Sequence, residues 1–130
     1  MKYLLDTHVL LWIAKDDPRL SQTAKSLYLD DGNEMFCSLA SLWELAIKIS
    51  MGKLSLDQPL QSFIDEHIFG NNIKILFIQT KHILPLENLP FHHKDPFDRL
   101  IIAQAIVESI PVISTTFGSI PIQFKESGNL

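Results

Sequence analysis

The chain has 130 residues, of which 46% are hydrophobic, and its formal net charge is −4. This length predicts one domain over residues 1–130, with a core that needs no disulfide and no structural metal. Charges interrupt every apolar run before the roughly twenty residues that a membrane span requires, and Asp6 interrupts the first run too early for a signal peptide. The acidic balance excludes a protein that coats nucleic acid with basic surface. We therefore expect a soluble cytoplasmic protein, in which the single cysteine, Cys37, is a buried hydrophobic residue.

Short apolar runs alternate with helical segments along the chain. In chain order we predict a strand at 2–5, helices at 9–14 and 22–30, a strand at 34–38, helices at 39–51 and 60–68, a strand at 73–78, helices at 80–86 and 95–109, and strands at 111–114 and 120–124. This alternation is typical of an α/β protein with a mostly parallel sheet covered by helices on both faces. In such sheets the functional crevice lies beyond the carboxyl ends of the strands.

Asp6 is the first acidic residue at that edge, because it ends the first predicted strand. It could serve a site, or it could simply cap the helix that follows, with Thr7 as a competing cap.

Glu44 is unusual because it lies in an almost wholly apolar helix, where an unpaired charge would be costly to bury. One alternative to a functional site is an ion pair with Lys48, one helical turn further on.

Asp98 shares a helix face with Ile101, Ile102 and Ala105, so we expect it to continue a buried stripe. The alternative is a capping box with Asp95, the predicted N-cap of the same helix.

These acids would repel one another strongly if they met at one sheet edge. Two like charges about 4 Å apart cost on the order of 4 kcal/mol at an effective dielectric constant near 20. A cation among them would remove this repulsion, and oxygen ligands favour Mg²⁺ or Mn²⁺, which support phosphodiester hydrolysis.

Three stretches resemble PIN-domain proteins, and most closely the VapC-like toxins of toxin–antitoxin pairs. They are LLDTHVLLW at residues 4–12, SLWELAIK at 41–48 with GKL at 52–54, and HHKDPFDRLIIAQA at 92–105. The resemblance implies a three-layer α/β/α sandwich with a sheet of four to five strands. It also implies a metal-dependent endoribonuclease that uses Mg²⁺ or Mn²⁺, acts on RNA as a homodimer and is silenced by an antitoxin protein.

Carried over to this sequence, the resemblance implies that Asp6, Glu44 and Asp98 are metal ligands and that Asp95 is an auxiliary catalytic acid. The chain departs from the family at Thr116, where a fourth acid is expected. A hydroxyl is a weak neutral ligand, so a second metal position should be loosened and activity reduced or lost.

Several alternatives remain open on the sequence. The chain could be a PIN-fold interaction module that has lost turnover, or a receiver-like domain phosphorylated on Asp6. His92 and His93 match no standard zinc spacing. His92, Lys94 and Arg99 could contact RNA phosphates or form a solvated helix entry.

The aromatic residues have two possible roles as well. Trp43 and Phe97 could stack on bases, although we expect Trp43 in the core and Phe97 against the helix start. Trp12 could meet a second copy of the chain or an antitoxin.

Overall fold

A computed structural model describes residues 1–91, 95–114 and 121–122 of the protein, the last pair by backbone alone. Its strands are β1 Lys2–Leu5, β2 Glu34–Ser38, β3 Lys74–Leu76, β4 Val112–Ile113 and β5 Pro121–Ile122. Its α-helices are α1 Thr7–Lys15, α2 Gln22–Leu29, α3 Leu39–Ser50, α4 Leu60–Phe63, α5 Thr80–Ile83 and α6 Pro96–Glu108.

The strands form one five-stranded sheet in the order β3-β2-β1-β4-β5. The pairs β1–β2, β2–β3 and β1–β4 are parallel, and only the edge strand β5 is antiparallel to its neighbour β4. Leu5 at the end of β1 is in register with Cys37 on β2 and Ile113 on β4, so these strands end side by side. The predicted, mostly parallel sheet is confirmed.

The core has two parts, one on each face of the sheet. Since successive strand residues point to opposite faces, Tyr3 and Leu5 pack into one cluster and Leu4 into the other. The first cluster receives apolar residues of α1, α2, α3 and α4, and the second receives those of α6 together with Ala40 of α3. The α/β/α sandwich follows from this arrangement. No helix among the described residues combines the length and apolar character needed to cross a membrane.

Side-chain caps and a glycine mark the ends of the first helices. Ser21 and Ser38 cap α2 and α3 through hydrogen bonds that their side chains accept from Ala24 N and Ala40 N. Gly52, at a φ of 72°, follows the end of α3 in the left-handed region that favours glycine.

The predicted helix at 60–68 differs from the structure, because α4 ends at Phe63 and continues as a π-helical turn, Ile64–Ile68. The apolar residues Phe63 and Ile68 are both buried, five positions apart. An α-helix would place them well apart around its axis, whereas a π-turn, with its i→i+5 hydrogen bonds, brings them to one face. Burial of both side chains therefore accounts for the wider turn.

Two buried polar side chains tie α6 to the rest of the fold. Gln104 accepts a hydrogen bond from the Ser38 hydroxyl and donates to Leu76 O and Phe77 O, so it links the ends of β2 and β3. His82 on α5 accepts a hydrogen bond from Gln79 N and forms another with Glu108 on α6. The hydrogen bonds from His82 and Lys81 lower the pKa of the Glu108 carboxyl. These contacts hold α6 in place over the sheet.

Candidate active site

Asp6 lies directly after β1, at the carboxyl edge of the sheet. Its backbone N–H donates to Ile113 O at 3.0 Å, and its side chain accepts from Val9 N at 2.8 Å. It is therefore the N-cap of α1, as one reading of the sequence predicted. The capping bond engages Oδ1 and fixes this carboxylate at the sheet edge.

Glu44 is buried, with 3% of its surface exposed, and both of its carboxylate oxygens have partners. The Thr7 hydroxyl donates to Oε1 at 2.7 Å, and the Lys48 ammonium donates to Oε2 at 2.7 Å. Thr7 Oγ1 also hydrogen-bonds the Ser41 hydroxyl at 2.9 Å. Because Thr7 directly follows Asp6 in the chain, these bonds hold the Glu44 carboxylate beside the segment that leaves β1.

Asp95 and Asp98 occupy the first turn of α6. Asp95 is the N-cap and accepts from Phe97 N at 2.8 Å and from Asp98 N at 3.1 Å, with Pro96 as the first helical residue. Asp98 is exposed, so its predicted place on a buried stripe was wrong. Of the other residues on that stripe, Ile101 and Ala105 are buried and Ile102 is half-buried, so the stripe reaches solvent at its amino-terminal end.

Lys48 connects the acid of α3 with the acids of α6. Its pKa is raised first by the hydrogen bond to Glu44 and further by the negative charges of Asp95 and Asp98, against the opposing effect of burial. One ammonium group therefore lies within electrostatic reach of three of the four acids singled out in the sequence.

Trp43 and Phe97 pack edge to face beside these acids, with ring centroids 5.0 Å apart and an angle of 83° between the rings. Phe97, in the first turn of α6, also packs against the second core cluster. Trp43 was expected in the core but is 55% exposed, since Leu42 and Leu45 already supply the buried face of α3. The edge of the site thus carries an exposed indole.

Arg99 has a structural role that the sequence left open. Its guanidinium donates to the backbone carbonyls of Pro90, Leu89 and Leu86, at 3.1, 3.0 and 3.4 Å, and lies 4.1 Å from the centre of the Phe91 ring. These contacts tie the first turn of α6 to the segment 86–91. His92, His93 and Lys94 lie outside the described residues, as does Thr116.

The side chains fit a divalent cation in their chemistry, since Asp6, Glu44, Asp95 and Asp98 supply hard oxygen donors. Over residues 1–91 and 95–114, however, no three acidic, histidine or cysteine side chains lie close enough together to hold a metal ion. Positive charge at Glu44 comes from Lys48 instead.

The sequence did not identify Thr7 and Ser41 as part of the site. Thr7 was considered only as a helix cap, whereas its hydroxyl holds Glu44. A signal was available: a hydroxyl residue beside Asp6, and another one helical turn before Glu44, can each satisfy a buried carboxylate.

Comparison with known proteins identifies the family. The PIN domain model matches residues 3–118 of the chain. No curated protein matches it significantly.

Two solved structures share the fold. One is VapBC2 from Rickettsia felis bound to a DNA fragment from its promoter, with 21% identity, 90% of this chain and 91% of that chain covered, and a TM-score of 0.63. The other is VapBC-1 from nontypeable Haemophilus influenzae, with 18% identity and a TM-score of 0.61. The match covers 100% of this chain and 95% of that chain. Since the family match spans nearly the whole chain, the protein is a member of the PIN domain family.

Proposed function

We propose that the protein is a metal-dependent endoribonuclease that acts as the toxin of a toxin–antitoxin pair. PIN domains are generally nucleases, which supports hydrolysis of a nucleic acid. The observation that carries the proposal is the environment of Glu44. This buried carboxylate accepts hydrogen bonds from Thr7, which follows Asp6, and from Lys48. The negative charges of Asp95 and Asp98 contribute to the raised pKa of Lys48. These contacts support a site to which acids of α3 and α6 both contribute, beside the end of β1.

In this proposal Asp6 and Asp98 hold the principal Mg²⁺ or Mn²⁺ ion, and Glu44 completes the pocket. When bound, such an ion lowers the pKa of water and neutralises charge on the phosphoryl group. The Asp6 carboxylate is positioned by its cap to Val9 N, and Glu44 is positioned by the Thr7 hydroxyl. Asp95 contributes further negative charge at the first turn of α6, where it also orients Asp98 through its backbone N–H.

The second candidate is a PIN-fold interaction module without turnover, which Thr116 in place of an acid favours. One substitution distinguishes the two candidate functions.

We expect the purified chain to cleave a labelled single-stranded RNA in the presence of Mn²⁺, and we expect this cleavage to stop when EDTA is added. Thr116→Asp is expected to accelerate this cleavage about tenfold, because a carboxylate replaces a weak neutral ligand. The initial rates of both proteins measure the effect.

The outcomes separate the candidates. Cleavage by the unchanged chain supports the ribonuclease. Cleavage by Thr116→Asp alone supports the interaction module, and cleavage by neither protein rejects the nuclease. A receiver-like domain would instead form an acyl phosphate on Asp6 when given a small phosphodonor.

We further propose that the protein assembles as a homodimer and binds an antitoxin protein in the cytoplasm. Large apolar side chains that are more than half exposed support assembly, and they include Trp43, Phe77, Leu84 and Phe91. Trp12 is covered in part by the Arg19 guanidinium, 4.9 Å from its ring. Light scattering that finds a single chain per particle would contradict the homodimer.

A further inference from the structure

We infer that Lys48 is the internal counter-ion of the site: it neutralises Glu44 while no metal is bound, and it must release Glu44 before a metal can bind. This inference rests on the proposed function, because it takes Glu44 as a metal ligand. Lys48 is not one of the proposed metal ligands, and the inference gives it the role of positioning the Glu44 carboxylate.

The geometry of Glu44 leaves no oxygen of this carboxylate without a partner. Thr7 donates to Oε1 and Lys48 to Oε2, and the carboxylate is almost fully buried. A buried carboxylate without a charged partner is strongly destabilising. The Thr7 hydroxyl is a neutral donor and does not balance the charge of Glu44. The stability of the metal-free fold therefore depends on Lys48.

The position of Lys48 extends this role to α6. Its side chain is 39% exposed, so the ammonium group is at the surface of the pocket, between buried Glu44 and solvent. Asp95 and Asp98 act on the same ammonium group through their charges. Lys48 thus neutralises the buried Glu44 carboxylate, the task that a divalent cation would otherwise perform.

Metal and lysine are consequently competitors for one carboxylate. A cation that uses Glu44 Oε2 displaces the Lys48 ammonium, and the two positive charges repel each other if the ammonium stays nearby. By linkage, whatever stabilises the Lys48–Glu44 pair weakens metal binding by the same factor. Loss of the lysine charge should therefore strengthen metal binding while it weakens the metal-free fold.

Lys48→Met tests the inference, because methionine keeps the apolar stem and removes the charge. We expect its melting temperature in EDTA to fall below that of the unchanged chain. Titration calorimetry should show Mn²⁺ binding about tenfold tighter, within the usual range of couplings between linked sites. Mn²⁺ should also raise the melting temperature of the variant by more than that of the unchanged chain. Lys48→Arg retains the charge and should stay near the unchanged chain in both measurements.

Lys74→Met is the matched control. Lys74 pairs with Glu34 at 2.8 Å near the opposite, amino edge of the sheet, so its loss should leave Mn²⁺ affinity unchanged. Should Lys48→Met fail to fold in EDTA, Lys48→Gln keeps a hydrogen-bond donor without the charge and is measured in its place.

The results distinguish the inference from the function on which it rests. If the unchanged chain binds Mn²⁺ and the charge-free Lys48 variant binds no more tightly, the inference is overturned and the nuclease proposal stands. If no variant binds Mn²⁺, the proposed metal site is overturned, and release of Glu44 by Lys48 is overturned with it.

Discussion

Asp6→Asn is expected to reduce Mn²⁺-dependent RNA cleavage by at least about 100-fold, because it removes a negative ligand from the proposed metal site. The fold should be retained. Asparagine caps helices about as well as aspartate, so the bond from Val9 N to residue 6 can persist. Cleavage rates and melting temperatures of the variant and the unchanged chain measure the two effects separately.

Asp31→Asn is the control for this substitution. Asp31 is exposed in the turn before β2, near the opposite edge of the sheet, and it undergoes the same chemical change. Its cleavage rate should equal that of the unchanged chain. Full cleavage by Asp6→Asn would remove Asp6 from the mechanism, whereas a large loss of melting temperature would contradict the expectation that the fold is retained.

Arg99→Met is expected to lower the free energy of unfolding by about 2–3 kcal/mol, which corresponds to roughly 8–12 °C in melting temperature. Methionine replaces the apolar stem of Arg99 but donates to none of the carbonyls of Leu86, Leu89 and Pro90. The loss does not exceed about 3 kcal/mol, because these loop carbonyls can recruit water. Thermal and urea denaturation measure it.

Arg19→Met provides the comparison for Arg99. Arg19 is an exposed arginine whose guanidinium pairs with Asp17 at 2.8 Å and covers Trp12. Exposed ion pairs contribute little, so this variant should unfold at nearly the temperature of the unchanged chain. Equal stability of the two variants would contradict the structural role of Arg99.

Much of the fold could be predicted because local signals agreed with the tertiary structure. Ser21, Ser38 and Asp95 mark helix starts through their side-chain chemistry, and Gly52 marks a helix end through its backbone freedom. The π-turn at Ile64–Ile68 had no such signal. It arises because Phe63 and Ile68 must reach the same core, a demand of tertiary packing that local patterns do not record.

Sequence reasoning singled out individual acids of the candidate site but did not predict their contacts. Asp6 and Glu44 stand out because acids in apolar surroundings need partners, and the structure supplies them through Val9 N, Thr7 and Lys48. The exposure of Asp98 and Trp43 depends on where each helix leaves the core, which helical periodicity alone does not determine. Contacts between α3 and α6 likewise require the assembled fold.

The most direct test of the metal site is a crystal structure of the protein grown with Mn²⁺, in which anomalous scattering locates the ion. We predict a Mn²⁺ ion bound by the carboxylates of Asp6 and Asp98, with Glu44 turned toward it and away from Lys48. A map with no ion at the end of β1, with the Glu44–Lys48 pair intact at saturating Mn²⁺, would contradict it.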